Sequence, residues 1–98
     1  MNYEITSTYS FDKWLRGLKD RTIRNKVLAR VDRVHNGNFG DFKSLGGNLF
    51  ELRFFFSGGL RIYYTIRNQQ VILLLNGGSK SSQSRDIEKA RQMIQELE

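Results

Sequence analysis

The hydropathy pattern of residues 48–80, NLFELRFFFSGGLRIYYTIRNQQVILLLNGGSK, is the tightest constraint on what this chain can fold into. In its first run Phe50, Leu52, Phe54 and Phe56 fall on one parity and Glu51 and Arg53 on the other, the period of two of a strand with one buried face. Ser57, Gly58 and Gly59 break the run. A short glycine-bearing interruption between two alternating runs predicts a hairpin, because glycine reaches positive φ without steric cost. Alternation then resumes, with Leu60, Ile62, Tyr64 and Ile66 on one side and Arg61, Tyr63, Thr65 and Arg67 on the other. The hairpin thus has an apolar face and a face carrying Arg53, Arg61 and Arg67, which is the candidate site. Residues 71–75 are continuously apolar, as in a central strand buried on both faces. Asn68, Gln69 and Gln70 turn into that strand, and the loop after it delivers Lys80. The segment reads as a three-stranded antiparallel meander with cations on one side.

The flanking segments read as helices. Tyr3 and Ile5 alternate with Glu4 and Thr6, a short N-terminal strand. Ser10 is placed to cap a helix in which Phe11, Trp14, Leu15 and Leu18 follow the i, i+3, i+4, i+7 spacing. Trp14 lies inside that stripe and reads as core rather than as a stacking platform for a base. Asp20 is placed to cap a second helix, with Ile23, Val27, Val31 and Val34 at helical spacing. Arg21, Arg24, Lys26, Arg30 and Arg33 fill its remainder, either as a solvated face or as a nucleic-acid surface. Gly17 near the end of the first helix implies a short turn and an antiparallel helical hairpin. His35, the only histidine, sits at the second helix's end and suits a C-terminal charge interaction. Phe42 and Leu45 are expected to pin the following loop, and Gly46 and Gly47 to lead into the meander. Ser81, Ser82, Ser84 and Asp86 open a last amphipathic helix carrying Ile87, Ala90, Ile94 and Leu97. The predicted fold is α+β, ordered β-α-α-β-β-β-α, with the N-terminal strand and helical hairpin packed on a small antiparallel sheet. Residues 1–98 make a single domain.

Composition narrows the function. There is no cysteine, so neither disulfides nor thiolate-bound metal hold the fold. The N-terminus lacks the basic start and apolar run of a signal peptide, and no apolar stretch approaches the roughly 20 residues a membrane helix needs. A soluble cytoplasmic protein is expected, with no membrane, metal or cofactor. Sixteen Lys and Arg against ten Asp and Glu give a formal charge of +6. That excess suits a nucleic acid or an acidic protein, or merely serves solubility. Phosphate-loop, HExxH and CxxC motifs are absent, and no nucleophile has a histidine beside it. What remains is Arg53 and Arg61 on adjacent strands, with Lys80 arriving from the loop. Converging cations suit an anion held between them, and guanidinium forks match phosphate oxygens. The alternative is that Glu51 and Asp86 neutralise them. Arg61, on the polar parity of its strand, is expected to be removable without loss of the fold.

FDKWLRGL (11–18), GNFG (37–40), FELR (50–53), GLRIYY (59–64) and LLLNGGSKSSQSRD (73–86), in that order, resemble the HigB-like killer proteins of the RelE/ParE toxin superfamily. The resemblance spans nearly the whole chain. It implies a compact RelE-like α+β toxin, encoded beside a helix-turn-helix antitoxin and acting in the bacterial cytoplasm. In RelE-type members the activity is cleavage of mRNA on the ribosome. Carried over by position, the resemblance makes Arg53, Arg61 and Lys80 the catalytic cations and Glu51 a possible base. Arg67, Tyr63 and Arg85 are the candidate RNA contacts beside them. Other branches use a histidine or tyrosine near the C-terminus for proton transfer, and this sequence has neither after Tyr64. The competing expectations are a ParE-like toxin that inhibits DNA gyrase without chemistry of its own, and an RNA-binding module without catalysis.

Overall fold

The computed structural model describes residues 2–97. Along the chain the elements are β1 (Glu4–Ser7), α1 (Tyr9–Arg16), α2 (Arg21–His35), β2 (Phe42–Gly46), β3 (Leu49–Arg53), β4 (Arg61–Arg67), β5 (Val71–Gly78) and α3 (Gln83–Leu97). The three predicted meander strands are β3, β4 and β5, paired antiparallel in that order. Two strands extend them into a five-stranded sheet ordered β1-β5-β4-β3-β2. β1 pairs parallel to β5, Glu4 opposite Val71 and Ser7 opposite Leu74.

β2 corrects the sequence reading, which took this stretch as a loop pinned by Phe42 and Leu45. Gly46 pairs with Leu49, so Gly47 and Asn48, at φ +61° and +60°, are the two central residues of a tight hairpin turn. Positive φ at both positions matches the right-handed twist of the flanking strands, and Gly-Asn supplies it cheaply. Phe42 is largely exposed on this edge. Leu45 does pack against the core, beside Leu49, while the preceding loop is held by Phe39, whose ring meets Tyr3 edge-on at 5.4 Å and stacks near Tyr64 at 5.9 Å.

Each face of the sheet carries a helical layer. Leu52, Phe54, Ile62, Tyr64, Ile72 and Leu74 pack under α1 and α2 with Phe11, Val27 and Val34. Trp14 joins this cluster, as expected. The first helix, α1, begins two residues earlier than expected: Thr8, not Ser10, is the cap, its hydroxyl accepting from the Phe11 N–H at 3.1 Å. Asp20 caps α2 as predicted. On the opposite face Leu49, Tyr63, Leu75 and Ala90 pack under α3. The parity read as a polar, open face is therefore covered along most of its length by α3, and burial of each large side chain there contributes about 1.5–3 kcal/mol.

The end of β5 depends on an irregularity. Tyr63 pairs with Asn76 but Tyr64 with Leu74, so Leu75 is an extra residue, and the strand's parity shifts there. Asn76 then faces α3 and donates to the Asp86 carbonyl at 3.0 Å. Gly77 lies beneath the Trp14 indole, where a Cβ would come within 2.4 Å of the ring. Gly78 lies against Asp86 with a still closer approach. Gly77→Ala is expected to lower the unfolding free energy by about 1–3 kcal/mol in urea titration, with part regained when Trp14 is replaced by Phe. Additive losses in the double mutant would mean that the indole does not set this limit.

Candidate functional site

The cations of the meander gather at one end of the sheet. Arg53 on β3 is the cross-strand partner of Arg61 on β4, and Arg61 is in turn opposite Gly78 on β5. Lys80 follows two residues later in a short 3-10 turn, and its N–H donates to the Gly58 carbonyl at 3.3 Å. That bond ties the lysine loop to the tip of the β3-β4 hairpin. Together with Asp41, Phe54, Phe55 and Gly59, the three cations line an open cleft of about 470 Å³. This volume falls within the range of small-molecule and nucleotide sites.

Two carboxylates enter this cluster. Asp41, which the sequence reading did not single out, accepts from Arg53 NH2 at 2.9 Å and from its Nε at 3.3 Å. The hydrogen bond to Asp41 raises the Arg53 pKa above its ordinary value. Glu51 is 1% exposed; it meets Arg61 NH1 at 3.5 Å and accepts from Gln83 Nε2 at 3.2 Å. Asp86 turns away and takes the Ser82 hydroxyl. Among the described residues Lys80 has no carboxylate within salt-bridge distance. The cleft thus keeps one cation in excess, exposed at its mouth.

The sequence-derived candidates divide accordingly. Arg53, Arg61 and Lys80 come together, with Glu51 beneath them rather than facing the cleft. Arg61 is not the surface residue expected: its side chain is 13% exposed and, among the described residues, it is the only cation paired with the buried Glu51 carboxylate. Removing it would leave Glu51 buried without a counter-charge, a loss of about 3 kcal/mol. Tyr63 is fully buried under α3, so it offers no face to a base. Burial raises its pKa above the ordinary 10.0, and Glu51 and Asp86 raise it further. Arg67 shares the parity of Arg61 but sits at the other end of β4, beside Asn48 and Leu97. Arg85 is exposed in the first turn of α3 and does not line the cleft. His35 ends α2 with its Nδ1 against the Tyr3 carbonyl.

Arg30 was misread. Counted among the outward-facing cations of α2, whether a solvated face or a nucleic-acid surface, it is instead 8% exposed. Its Nε and NH2 donate to the Phe39 carbonyl at 3.1 and 2.9 Å, NH2 also to the Asp41 carbonyl at 2.7 Å, and NH1 to the Arg53 carbonyl at 3.0 Å. Its guanidinium also stacks 4.9 Å over Phe54. Burial, then Arg33, lowers its pKa. Gly40, at φ +64°, passes so close that a Cβ would lie 3.1 Å from the guanidinium. This arginine fixes the backbone of both members of the Asp41-Arg53 pair. The sequence signal for it was its spacing, i, i+3 from Val27 and i, i+4 to Val34, which places it at the border of the apolar stripe.

Residues 13–95 match the family described as Phage derived protein Gp49-like (DUF891). An uncharacterized protein of Haemophilus influenzae is 42% identical over 97 residues, covering 99% of this chain and 98% of its own length. Among solved structures, a mutant of E. coli toxin RelE in the free state superposes with a TM-score of 0.77 at 20% identity, over 96% of this chain and 99% of that one. The RelBE2 toxin-antitoxin complex from Mycobacterium tuberculosis gives 0.66 at 18% identity, over 82% of this chain and 100% of the matched chain. At these identities the structural likeness establishes a RelE-like fold.

Two measurements check the site. Arg30→Lys keeps the charge but not the planar fork, and is expected to cost about 2 kcal/mol in urea titration and to open the loop of residues 36–41 to limited proteolysis; unchanged protection there would remove Arg30 from its positioning role. The raised pKa of Tyr63 means that the unfolded chain loses this proton first as pH rises. Stability from this group is therefore complete below pH 10.0 and falls above it. Tyr63→Phe, which also removes a buried hydroxyl without a hydrogen-bond partner among the described residues, is expected to flatten that alkaline loss in thermal melts while leaving the neutral Tm equal or higher.

Proposed function

The chain belongs to the phage-derived Gp49-like family, and from that premise, the RelE-like fold and the cation cleft we propose that it is the toxin of a type II toxin-antitoxin pair, a HigB-like endonuclease that cuts mRNA on the ribosome. The observation that carries this reading is the convergence of Arg53, Arg61 and Lys80 on one open cleft. In the cleavage, a ribose 2′-hydroxyl attacks the adjacent phosphorus and the 5′-oxygen leaves. Negative charge builds on the non-bridging oxygens, which guanidinium and ammonium groups stabilise. Its target would be cytoplasmic mRNA, and its partner a small helix-turn-helix antitoxin.

The cleft holds charge better than it moves protons. Asp41 is engaged by Arg53, and Glu51 and Tyr63 are buried. No cleft-lining side chain has an ordinary pKa near neutrality. Orientation must then supply much of the rate: aligning the 2′-hydroxyl with the phosphate is worth about 7–11 kcal/mol in well-ordered cases. A ribosome holding mRNA in its decoding site provides that alignment. The same lack of an exposed acid or base favours the second reading, a ParE-like inhibitor that binds DNA gyrase.

Purified protein is expected to leave naked RNA intact and to cut mRNA on translating ribosomes. Lys80→Ala and Arg53→Ala, whose side chains are exposed at the cleft, are expected to lower cleavage by about 10²–10³-fold each. Intact ribosome-bound mRNA, together with gyrase-dependent DNA breaks in cells expressing the protein, would replace the endonuclease with the gyrase inhibitor.

A further inference from the structure

Phe55 is 90% exposed, the most exposed large apolar side chain among the described residues. An isolated exposed apolar residue is unremarkable on a protein surface; the position of this one is informative. Its neighbours Phe54 and Phe56 turn inward, their rings edge to face at 5.5 Å, while Phe55 projects on the side of the cation cleft. The loop that presents it is fixed. The Phe54 N–H donates to the Leu60 carbonyl at 2.9 Å, the Gly59 N–H to the Phe56 carbonyl at 3.1 Å, and the Lys80 N–H to the Gly58 carbonyl. Exposure of the ring is therefore built into an ordered hairpin tip.

Phe55 lines two recesses. One is the cleft of Arg53, Arg61 and Lys80; the other, of about 280 Å³, is lined also by Lys26 and Arg33 of α2. Arg53 borders both. An aromatic face flanked on two sides by cations matches a single-stranded nucleic acid, whose bases stack on the ring while the backbone phosphates on either side meet the charges. A protein partner would be better served by an apolar patch than by one ring rimmed with charge.

We propose that Phe55 is the platform on which a base next to the scissile phosphate stacks, and that the Lys26-Arg33 recess takes the phosphate on the far side of that base. The inference rests on the RNA-directed reading of the cleft and adds to it the residue that sets the position of the strand. Stacking of this kind tolerates any base, so Phe55 fixes register along the backbone without selecting a sequence.

The test uses the full chain and a short fluorescein-labelled oligouridylate in low salt, read by anisotropy. Phe55→Ala is expected to melt as the wild type and to bind the oligonucleotide about five- to a hundred-fold more weakly, the loss expected of one stacked base. Phe55→Trp is expected to retain affinity, with its added indole emission quenched on binding. Wild-type affinity in Phe55→Ala, no oligonucleotide binding by the wild type, or an unquenched Phe55→Trp would each overturn the platform. Wild-type affinity combined with loss of antitoxin co-purification would overturn it in favour of a protein contact. Ribosome assays separate this from the broader reading. Ribosomal mRNA left uncut by the wild type removes the endonuclease; cleavage by the wild type with unchanged oligonucleotide binding in Phe55→Ala removes only the platform.

Discussion

The site depends on one buried guanidinium. Arg30 reaches from α2 through the α2-β2 connection to the end of β3 and donates to three backbone carbonyls, those of Phe39, Asp41 and Arg53. Hydrogen bonds from a charged donor contribute about 1.5–3 kcal/mol each, enough to offset the desolvation of one arginine only when several are made together. Because two of the three carbonyls belong to Asp41 and Arg53, the interaction that holds the loop also sets the spacing of the ion pair at the cleft. Lysine could not replace it, since one ammonium cannot reach three acceptors in a fork.

The charges above it form a graded series. Glu51 is buried and paired, Arg61 mostly buried, Arg53 engaged at the rim by Asp41, and Lys80 exposed. Buried charges are held by hydrogen bonds and are slow to reorganise, whereas the exposed lysine is free to follow a ligand. An anion entering the cleft would therefore meet the exposed lysine first and the hydrogen-bonded arginines behind it.

Much of this architecture was legible because alternation and helical spacing report burial directly. Phe50 to Ile66 predicted the hairpin, and Asp20 the start of α2. Part of what failed has one cause: single-sequence pattern assigns a residue to a face but does not say what covers that face. α3 covers the parity that reads as polar, which turned Tyr63 from an RNA contact into core and Glu51 into a buried partner. β2 escaped because its residues Phe42 to Gly46 alternate poorly, being an exposed edge, although Gly46-Gly47-Asn48 before a strand was a hairpin signal. Arg67 shared a parity with Arg61, but parity does not report distance along a strand. Arg30 escaped because a long cationic side chain at the border of an apolar stripe is ordinarily solvent-facing.

The parallel pairing of β1 with β5 has a consequence in time. The Thr6 hydroxyl and the Ile72 carbonyl it meets are 66 residues apart, and the central layer of the sheet is complete only when β5 has been made. Contacts so distant along the chain form late, after the entropy of closing the loop between them has been met. Lys80 follows β5 directly. During synthesis, then, the first strand waits for the last, and the emerging chain carries no assembled cation cleft until β5 and the lysine behind it have both been made.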